Sequence, residues 1–144
     1  MKTEQKIKLF LVDDDELYLK LLEMEFLDLK DITVKKFETG ELCVKSLDEK
    51  PDLVILDYML DSINKTAMNG IETLDKIKEF NPAIPVIMLS AQDKIDVAID
   101  CMHHQATDYV VKSETAFLRL KKIIWHTLQY QKIEKQLDWY MKRM

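Results

Sequence analysis

The segment Pro51-Asp52-Leu53-Val54-Ile55-Leu56-Asp57 determines how the rest of the chain can fold. Its centre, residues 53–56, is a continuous apolar run with a proline before it and a polar loop after it. Such a run is typical of a strand buried on both faces of a parallel sheet. Asp57 then lies at the carboxyl edge of the sheet, where open α/β sheets bind ligands. Because a carboxylate there needs a cation or donors to offset its desolvation, Asp57 is the first candidate functional residue.

The composition is that of one ordinary globular domain. The chain has 144 residues, of which 47% are hydrophobic and 33% charged, and this is enough to form a core. No apolar run approaches the roughly 20 residues of a membrane span, and residues 1–6 lack the apolar segment of a signal peptide. We therefore expect a cytoplasmic protein without membrane contact. The net charge of −5 argues against direct nucleic acid binding, which needs concentrated Lys and Arg.

The cysteines and the histidine pair have plain structural interpretations. Cys43 and Cys101 are isolated in apolar helical contexts, so we expect core residues instead of a disulfide or a metal pair. His103-His104 has no second ligand cluster at metal spacing and is expected at an exposed helix end.

Strand-like and helix-like segments alternate five times along the chain. The predicted strands are 7–12, 32–37, 53–57, 85–89 and 108–111, and the predicted helices are 15–30, 39–47, 70–80, 94–102 and 115–144. Asp14 or Asp15 can cap the first helix. Apolar residues recur at helical spacing in the first helix, at Leu17, Leu21, Met24 and Leu29 with Leu22 and Phe26 beside them, and in the fourth helix, at Ile95, Ala98, Ile99 and Met102. The alternation predicts a doubly wound parallel sheet, and with two glycines in the chain a Gly-rich phosphate loop is absent.

Polar residues end four of the predicted strands. Asp13 and Asp14 follow the first strand, Asp57 ends the third, Ser90 the fourth and Lys112 the fifth. Singly, these are ordinary cap, turn or surface residues, but the topology brings all five to one edge. Three carboxylates there repel one another, and Mg²⁺, which prefers oxygen ligands, relieves that repulsion. With a phosphoryl donor, the metal and the lysine would neutralise the transferring group while a carboxylate acts as nucleophile.

These segments resemble the receiver domain of two-component response regulators. The resemblance covers about residues 6–126 and rests on the run ending in Asp57 together with Leu11-Val12-Asp13-Asp14, Met88-Leu89-Ser90-Ala91 and Asp108-Tyr109-Val110-Val111-Lys112. It implies a flavodoxin-like fold with strand order 2-1-3-4-5 and five helices. It also implies that Asp57 accepts a phosphoryl group from a sensor histidine kinase, and that the domain catalyses only its own phosphorylation and dephosphorylation.

The resemblance implies a metal site. Asp14 and Asp57 would ligate Mg²⁺, Asp13 would reach it through water, and Met59 would offer its backbone carbonyl. No other cofactor is implied.

The resemblance also implies a switch. Ser90 would bind the phosphoryl group and move on activation, and Tyr109 would rotate inward behind it; spacing alone favours a half-buried edge aromatic equally. Lys112 would pair with the acids at rest and with the phosphoryl group afterwards. The change would be read by a downstream output domain or protein.

Three positions depart from the family pattern. Ser113 stands where the family usually has proline, often after a cis bond, so we expect either a trans bond or a strained cis bond. Residues 61–67 make the loop before Gly70 about five residues longer. This loop either shields the site or contacts a kinase, or is an inert insertion. Gln105 replaces the usual glycine before the fifth strand and should crowd that turn.

Residues 127–144 form a predicted C-terminal helical extension beyond the receiver domain. Along the last helix and into this extension, apolar or aromatic residues recur at spacings of three and four, at Ile123, His126, Tyr130, Ile133, Leu137 and Tyr140. This is a short heptad seam. It either forms a homodimer or leads to an output domain, or it is a frayed tail.

Two other function classes compete with a phosphorylation switch. Small phosphatases also place a nucleophilic Asp after an apolar strand, but they need a second acid two residues on, where this chain has Met59. A degenerate receiver that only binds proteins would lack an acid, the hydroxyl or the lysine, and this chain has them all.

Overall fold

The computed structural model describes residues 6–29 and 31–143, and its centre is a five-stranded parallel sheet. The strands are β1 (Ile7–Val12), β2 (Ile32–Phe37), β3 (Leu53–Asp57), β4 (Val86–Ser90) and β5 (Asp108–Val111), in the order β2-β1-β3-β4-β5. The helices are α1 (Glu16–Leu27), α2 (Gly40–Lys45), α3 (Gly70–Phe80), α4 (Ile95–His103) and α5 (Ala116–Arg143), with a short 3₁₀ helix at Leu47–Glu49. The predicted flavodoxin-like fold and strand order are confirmed. The expectations for residues 1–5, and the helix ends predicted at Lys30 and Met144, lie outside the described residues.

Helices cover both faces of the sheet, which is why its central strands are continuously apolar. β3 and β4 are buried along their whole length, as parallel strands between two helical layers must be. One face carries α1 and α5, and the other carries α2, α3 and α4. Cys43 and Cys101 are free and buried in this second layer, as predicted. Among the described helices, none is both long enough and apolar enough to cross a bilayer.

Side-chain caps fix where the helices next to the carboxyl edge begin. Of the two acids predicted as caps for α1, Asp15 takes the role, accepting hydrogen bonds from the amides of Leu17 and Tyr18 at 3.0 and 3.3 Å. Asn69 and Glu72 form a reciprocal capping box at the start of α3. Asp13 and Asp14 are thereby held in the turn between β1 and α1, ahead of the helix.

The apolar residues that recur at helical spacing only partly mark the buried faces of α1 and α4. In α1 the buried residues are Leu19, Leu22 and Phe26, whereas Leu17, Leu21 and Met24 are exposed. In α4 the buried residue is Cys101, and Ile95, Ile99 and Met102 are exposed. Both helices carry apolar residues on more than one side. Spacings of three and four therefore fit two faces, and only packing against the sheet selects one.

Two smaller predictions concern the segments on either side of β5. The described residues contain no cis peptide bond, so the bond before Ser113 is trans. At the end of α4, His103 is exposed, as expected. His104 is half-buried there, with Nδ1 2.8 Å from a carboxylate oxygen of Asp75, and this contact raises the imidazole pKa above its ordinary value.

Gln105 has a left-handed backbone, with φ of 73°, in the turn that joins α4 to β5. A non-glycine residue there costs about 1 kcal/mol because its Cβ crowds the following carbonyl. We expect Gln105→Gly to raise the free energy of unfolding by about 0.5–1 kcal/mol, measured by urea denaturation. The matched control is Gln129→Gly in the helical interior of α5, which should lose about 1 kcal/mol. Losses of equal size in both variants would contradict the backbone argument.

Candidate functional site

Asp57 ends β3 at the carboxyl edge of the sheet and is buried, with 4% of its surface exposed. The loop that leaves it returns to the same point at Gly70, whose amide donates to the carbonyl of Tyr58 at 3.1 Å. A Cβ on Gly70 would lie 2.6 Å from the backbone carbonyl oxygen of Asp57. Glycine is therefore required where the loop closes beside the acid.

Three carboxylates converge at this edge, as the strand ends predicted. β1 pairs with β3, and this places Asp13 and Asp14 beside Asp57. One oxygen from each acid lies within 4.8 Å of the other two. Asp13 is buried and Asp14 is half-buried, and the Asp15 amide donates to Asp13 Oδ1 at 2.9 Å. A compact set of hard oxygen donors with a partly open side fits a divalent cation such as Mg²⁺.

The environment of Asp57 disfavours its charged form when no cation is present. Burial raises the pKa of Asp57 to about 8, and the negative charge of Asp13 adds to the increase, while Lys112 and the Met59 amide partly offset it. Without a cation, folding therefore shifts Asp57 toward its protonated form. A cation among the three carboxylates reverses this preference because it stabilises the ionised form.

Lys112 supplies the positive charge of the site. Its ammonium lies 2.8 Å from Asp13 Oδ2 and 3.5 Å from Asp57 Oδ1, and 17% of the side chain is exposed. Burial alone would lower the pKa of Lys112, but Asp57 and Asp13 outweigh it and raise the pKa above its ordinary value. The Lys112 amide also donates to the Ser90 carbonyl at 2.7 Å, which ties the end of β5 to the end of β4.

The aromatic ring of Tyr18 was not predicted as a site residue. It lies in the first turn of α1, and the Lys112 ammonium is 4.3 Å from its centroid, within the range of a cation–π contact. Burial raises the pKa of the Tyr18 hydroxyl. Its position just after the acidic turn was the available sequence signal, but whether the ring faces the lysine depends on the rotation of α1.

Ser90 and Tyr109 lie on the neighbouring strands β4 and β5. Ser90 is fully buried, and its hydroxyl oxygen accepts a hydrogen bond from the Gln92 amide at 3.0 Å. The half-buried Tyr109 donates its hydroxyl to the Gln92 carbonyl. Both side chains are therefore fastened to the same loop after β4, so a displacement of either one moves a shared segment.

The loop after Asp57 contributes donors to the acids. The backbone amide of Met59 lowers the pKa of Asp57, while the Met59 side chain is exposed. Further along, Ser62 donates to Asp14 through both its hydroxyl and its amide. Sequence analysis singled out residues 61–67 as an unusual loop, but did not identify Ser62.

The chain is similar to a known family of proteins. A family model described as the response regulator receiver domain matches residues 9–124. The transcriptional regulatory protein ZraR of Klebsiella oxytoca is 30% identical over 126 residues, which cover 85% of this chain and 27% of ZraR. A cyclic di-GMP phosphodiesterase of Thermotoga maritima is 30% identical over 135 residues, which cover 93% of this chain and 34% of that protein. The chain thus spans about a quarter to a third of these relatives.

Solved structures of receiver domains and response regulators are also similar to this chain. The signal receiver domain of a LuxO repressor protein from Vibrio parahaemolyticus superposes with a TM-score of 0.79 at 26% identity, covering 92% of this chain and 97% of that one. DrrB, an OmpR/PhoB homologue from Thermotoga maritima, superposes with a TM-score of 0.75 at 28% identity, covering 88% and 54%. The family match ends at residue 124, whereas α5 continues to Arg143.

Proposed function

The chain belongs to the response regulator receiver domain family, and from this premise we propose that it is a phosphorylation-dependent signalling switch with Asp57 as the phosphoryl acceptor. The observation that carries the proposal is the convergence of Asp13, Asp14 and Asp57 within 4.8 Å beside the ammonium of Lys112. A nucleophilic carboxylate, oxygen ligands for a cation and a fixed positive charge are the parts that phosphoryl transfer requires.

In the proposed reaction, a carboxylate oxygen of Asp57 attacks the phosphorus of a phosphohistidine on a sensor histidine kinase. A P–O bond forms, the P–N bond breaks, and the released imidazole takes up a proton. Asp14 and Asp57 would hold Mg²⁺ directly, Asp13 would hold it through water and Met59 through its backbone carbonyl, and the ion would supply positive charge to the phosphoryl oxygens. These four residues are the metal ligands that the resemblance to the family implies.

The residues around Asp57 then respond to the negative charge of the phosphoryl group. Lys112 leaves its contacts with the resting acids and neutralises the phosphoryl group, to which the Ser90 hydroxyl donates a hydrogen bond. Tyr109 moves with Ser90 because both are fastened to the loop after β4. The local charge change thereby biases a two-state element that a downstream output domain or protein recognises. We place this exchange in the cytoplasm, without direct nucleic acid binding by this domain.

Incubation with acetyl phosphate and Mg²⁺, without a kinase, tests the proposal. Intact-mass spectrometry should find one phosphoryl group, and peptide mapping should place it on Asp57. Stable unmodified protein would instead favour the alternative, a degenerate receiver that acts only as a protein-binding module. Steady turnover of unrelated phosphate esters would favour a phosphatase.

We further propose that residues 6–126 form the receiver domain, and that the extension at 127–144 joins two copies. α5 has 28 residues, so it is about 42 Å long and projects its last turns beyond the core. In the predicted seam, Tyr130, Ile133, Leu137 and Tyr140 are exposed by 58–64%. Residues on a different side of the helix, including Gln131 and Glu134, line a cavity of about 380 Å³ against the base of the sheet. The last four positions of the seam are thus exposed and can contact a second copy, in the manner of a coiled coil.

Replacing Ile133 by Glu should weaken this dimer by at least about tenfold in dissociation constant, because it buries an unpaired charge in the seam. Sedimentation equilibrium over a range of protein concentrations measures the change. The matched control is Leu42→Glu, an exposed apolar residue on α2 on the opposite face of the sheet from α5, which should leave association unchanged. A wild-type protein that stays monomeric at high concentration would contradict the proposed dimer.

A further inference from the structure

Of the three clustered acids, Asp14 takes its hydrogen bonds from the unusual loop. Asp13 and Asp57 share Lys112. Asp14 Oδ2 instead accepts from the Ser62 amide at 3.1 Å, from the Ser62 hydroxyl, and from the Ile63 amide at 3.4 Å. Within residues 6–29 and 31–143, these are the hydrogen bonds that the Asp14 side chain makes. The half-buried acid is therefore oriented by a segment 48 residues away in sequence.

All three donors converge on one oxygen of the carboxylate. This leaves Asp14 Oδ1 free of them, and a cation such as Mg²⁺ takes a carboxylate through one oxygen while water fills its remaining positions. Hydrogen bonds to the second oxygen of a ligating carboxylate fix its rotation, and metal affinity depends on such contacts. The donors from the loop are neutral, so they orient Asp14 without adding a positive charge that would repel the cation.

The cost of ordering Ser62 also argues for a role in the site. Ser62 is exposed, so its hydroxyl could bond to water without loss. Instead, its hydroxyl and its amide are both directed at the same oxygen of one metal-site acid. Thr66, in the same loop, shows the contrast, because its hydroxyl donates only within the loop, to Asn64 at 2.8 Å.

We propose that Ser62 is a positioning residue for the cation site, so that the loop of residues 61–67 acts on this site through Ser62 instead of being an inert insertion. The inference rests on the proposed function, because it assigns Ser62 a role toward the Mg²⁺ that Asp14 would hold. In the resting protein the loop presets the Asp14 carboxylate, so that less ordering is needed when the cation binds.

Isothermal titration calorimetry with Mg²⁺, in the absence of any phosphoryl donor, tests this role. Ser62→Ala should bind Mg²⁺ about tenfold more weakly than the wild type, the lower end of the effect expected for an outer contact of a metal ligand. Ser62→Thr keeps the hydroxyl and should bind close to the wild type. Thr66→Val removes a hydroxyl from the same loop and should leave the affinity unchanged. Without metal, Ser62→Ala should have the same melting temperature as the wild type, because Ser62 is exposed.

The outcomes separate this inference from the function beneath it. A Ser62→Ala protein that binds Mg²⁺ as tightly as the wild type would overturn the positioning role. Tighter binding would also overturn it, because the hydroxyl would then compete with the cation for Asp14. If the wild type itself binds no Mg²⁺, the proposed function fails at the metal site, and the failure does not depend on Ser62.

Discussion

Asp57→Asn should abolish phosphoryl acceptance from acetyl phosphate in the presence of Mg²⁺. The amide has nearly the shape of the carboxyl group, so the buried end of β3 keeps its packing, but it offers no nucleophilic oxygen to phosphorus. Intact-mass spectrometry should detect one phosphoryl group on the wild type and none on the variant. This is the largest effect expected, because in the proposed reaction the Asp57 carboxylate alone forms the bond to phosphorus.

A nearby acid provides the control. Asp61 lies four residues further along, is half-buried, and is not among the three clustered acids. Asp61→Asn should accept the phosphoryl group as the wild type does. A phosphoryl group retained on the Asp57→Asn protein would refute the acceptor assignment, and its position in the chain would identify the residue that does accept it.

In metal-free solution, Asp57→Asn should stabilise the fold. Burial raises the pKa of Asp57 from 3.8 to about 8, so between these values the folded protein binds a proton that the unfolded chain has released. Stability from this group therefore falls as pH rises from about 4 to 8. With EDTA at pH 8, Asp57→Asn should exceed the wild type in free energy of unfolding by about 5 kcal/mol, because each unit of the pKa shift is worth about 1.4 kcal/mol.

Urea denaturation at pH 5, 6.5 and 8 measures this difference. The advantage of Asp57→Asn should shrink toward pH 5, because the folded wild type is largely protonated in this range while the unfolded chain, with its ordinary carboxyl pKa, begins to regain its own proton. Added Mg²⁺ should stabilise the wild type more than the variant, because the variant has lost one anionic ligand. A difference that stays constant across this pH range would show that the titration of Asp57 is not its cause.

The fold could be predicted because the sequence patterns of its strands are nearly free of ambiguity. β3 and β4 are continuous apolar runs that only a covered parallel strand explains, and the alternation with helices then limits the topology. The inner faces of the helices could not be predicted in the same way. In α1, Leu17 and Leu21 are as apolar as the buried Leu19 and Leu22, and nothing local distinguishes the two sides.

The same contrast holds at the site. Asp13, Asp57 and Lys112 follow strands, so the sheet topology alone brings them to one edge, and the structure places them in contact. Ser62 and Tyr18 reach the site by other routes. The position of Ser62 depends on the path of a long loop, and that of Tyr18 depends on the rotation of α1. Neither produces a periodic pattern in the sequence.

Lys112→Met should destabilise the metal-free protein by about 3 kcal/mol at pH 8, the low end of the cost of removing one partner from a buried ion pair. Methionine keeps the apolar stem, so the loss reports the missing ammonium. Without it, Asp13 and Asp57 face each other buried and without their cation, and the contact with the Tyr18 ring is lost as well. Urea denaturation in EDTA measures the change.

The matched control is Lys121→Met on α5. Lys121 also forms an ion pair, with Glu25 at 2.9 Å, but the two side chains are 32% and 39% exposed, so the loss should be below about 1 kcal/mol. Combining Lys112→Met with Asp57→Asn should recover most of the lost stability, because the second change removes one of the two uncompensated carboxylates. The loss should also be smaller at pH 5.5, since Lys112 lowers the pKa of Asp57 and its removal lets the carboxyl group keep a proton. Equal losses in the two single lysine variants would mean that the ammonium is not what holds the acidic cluster together.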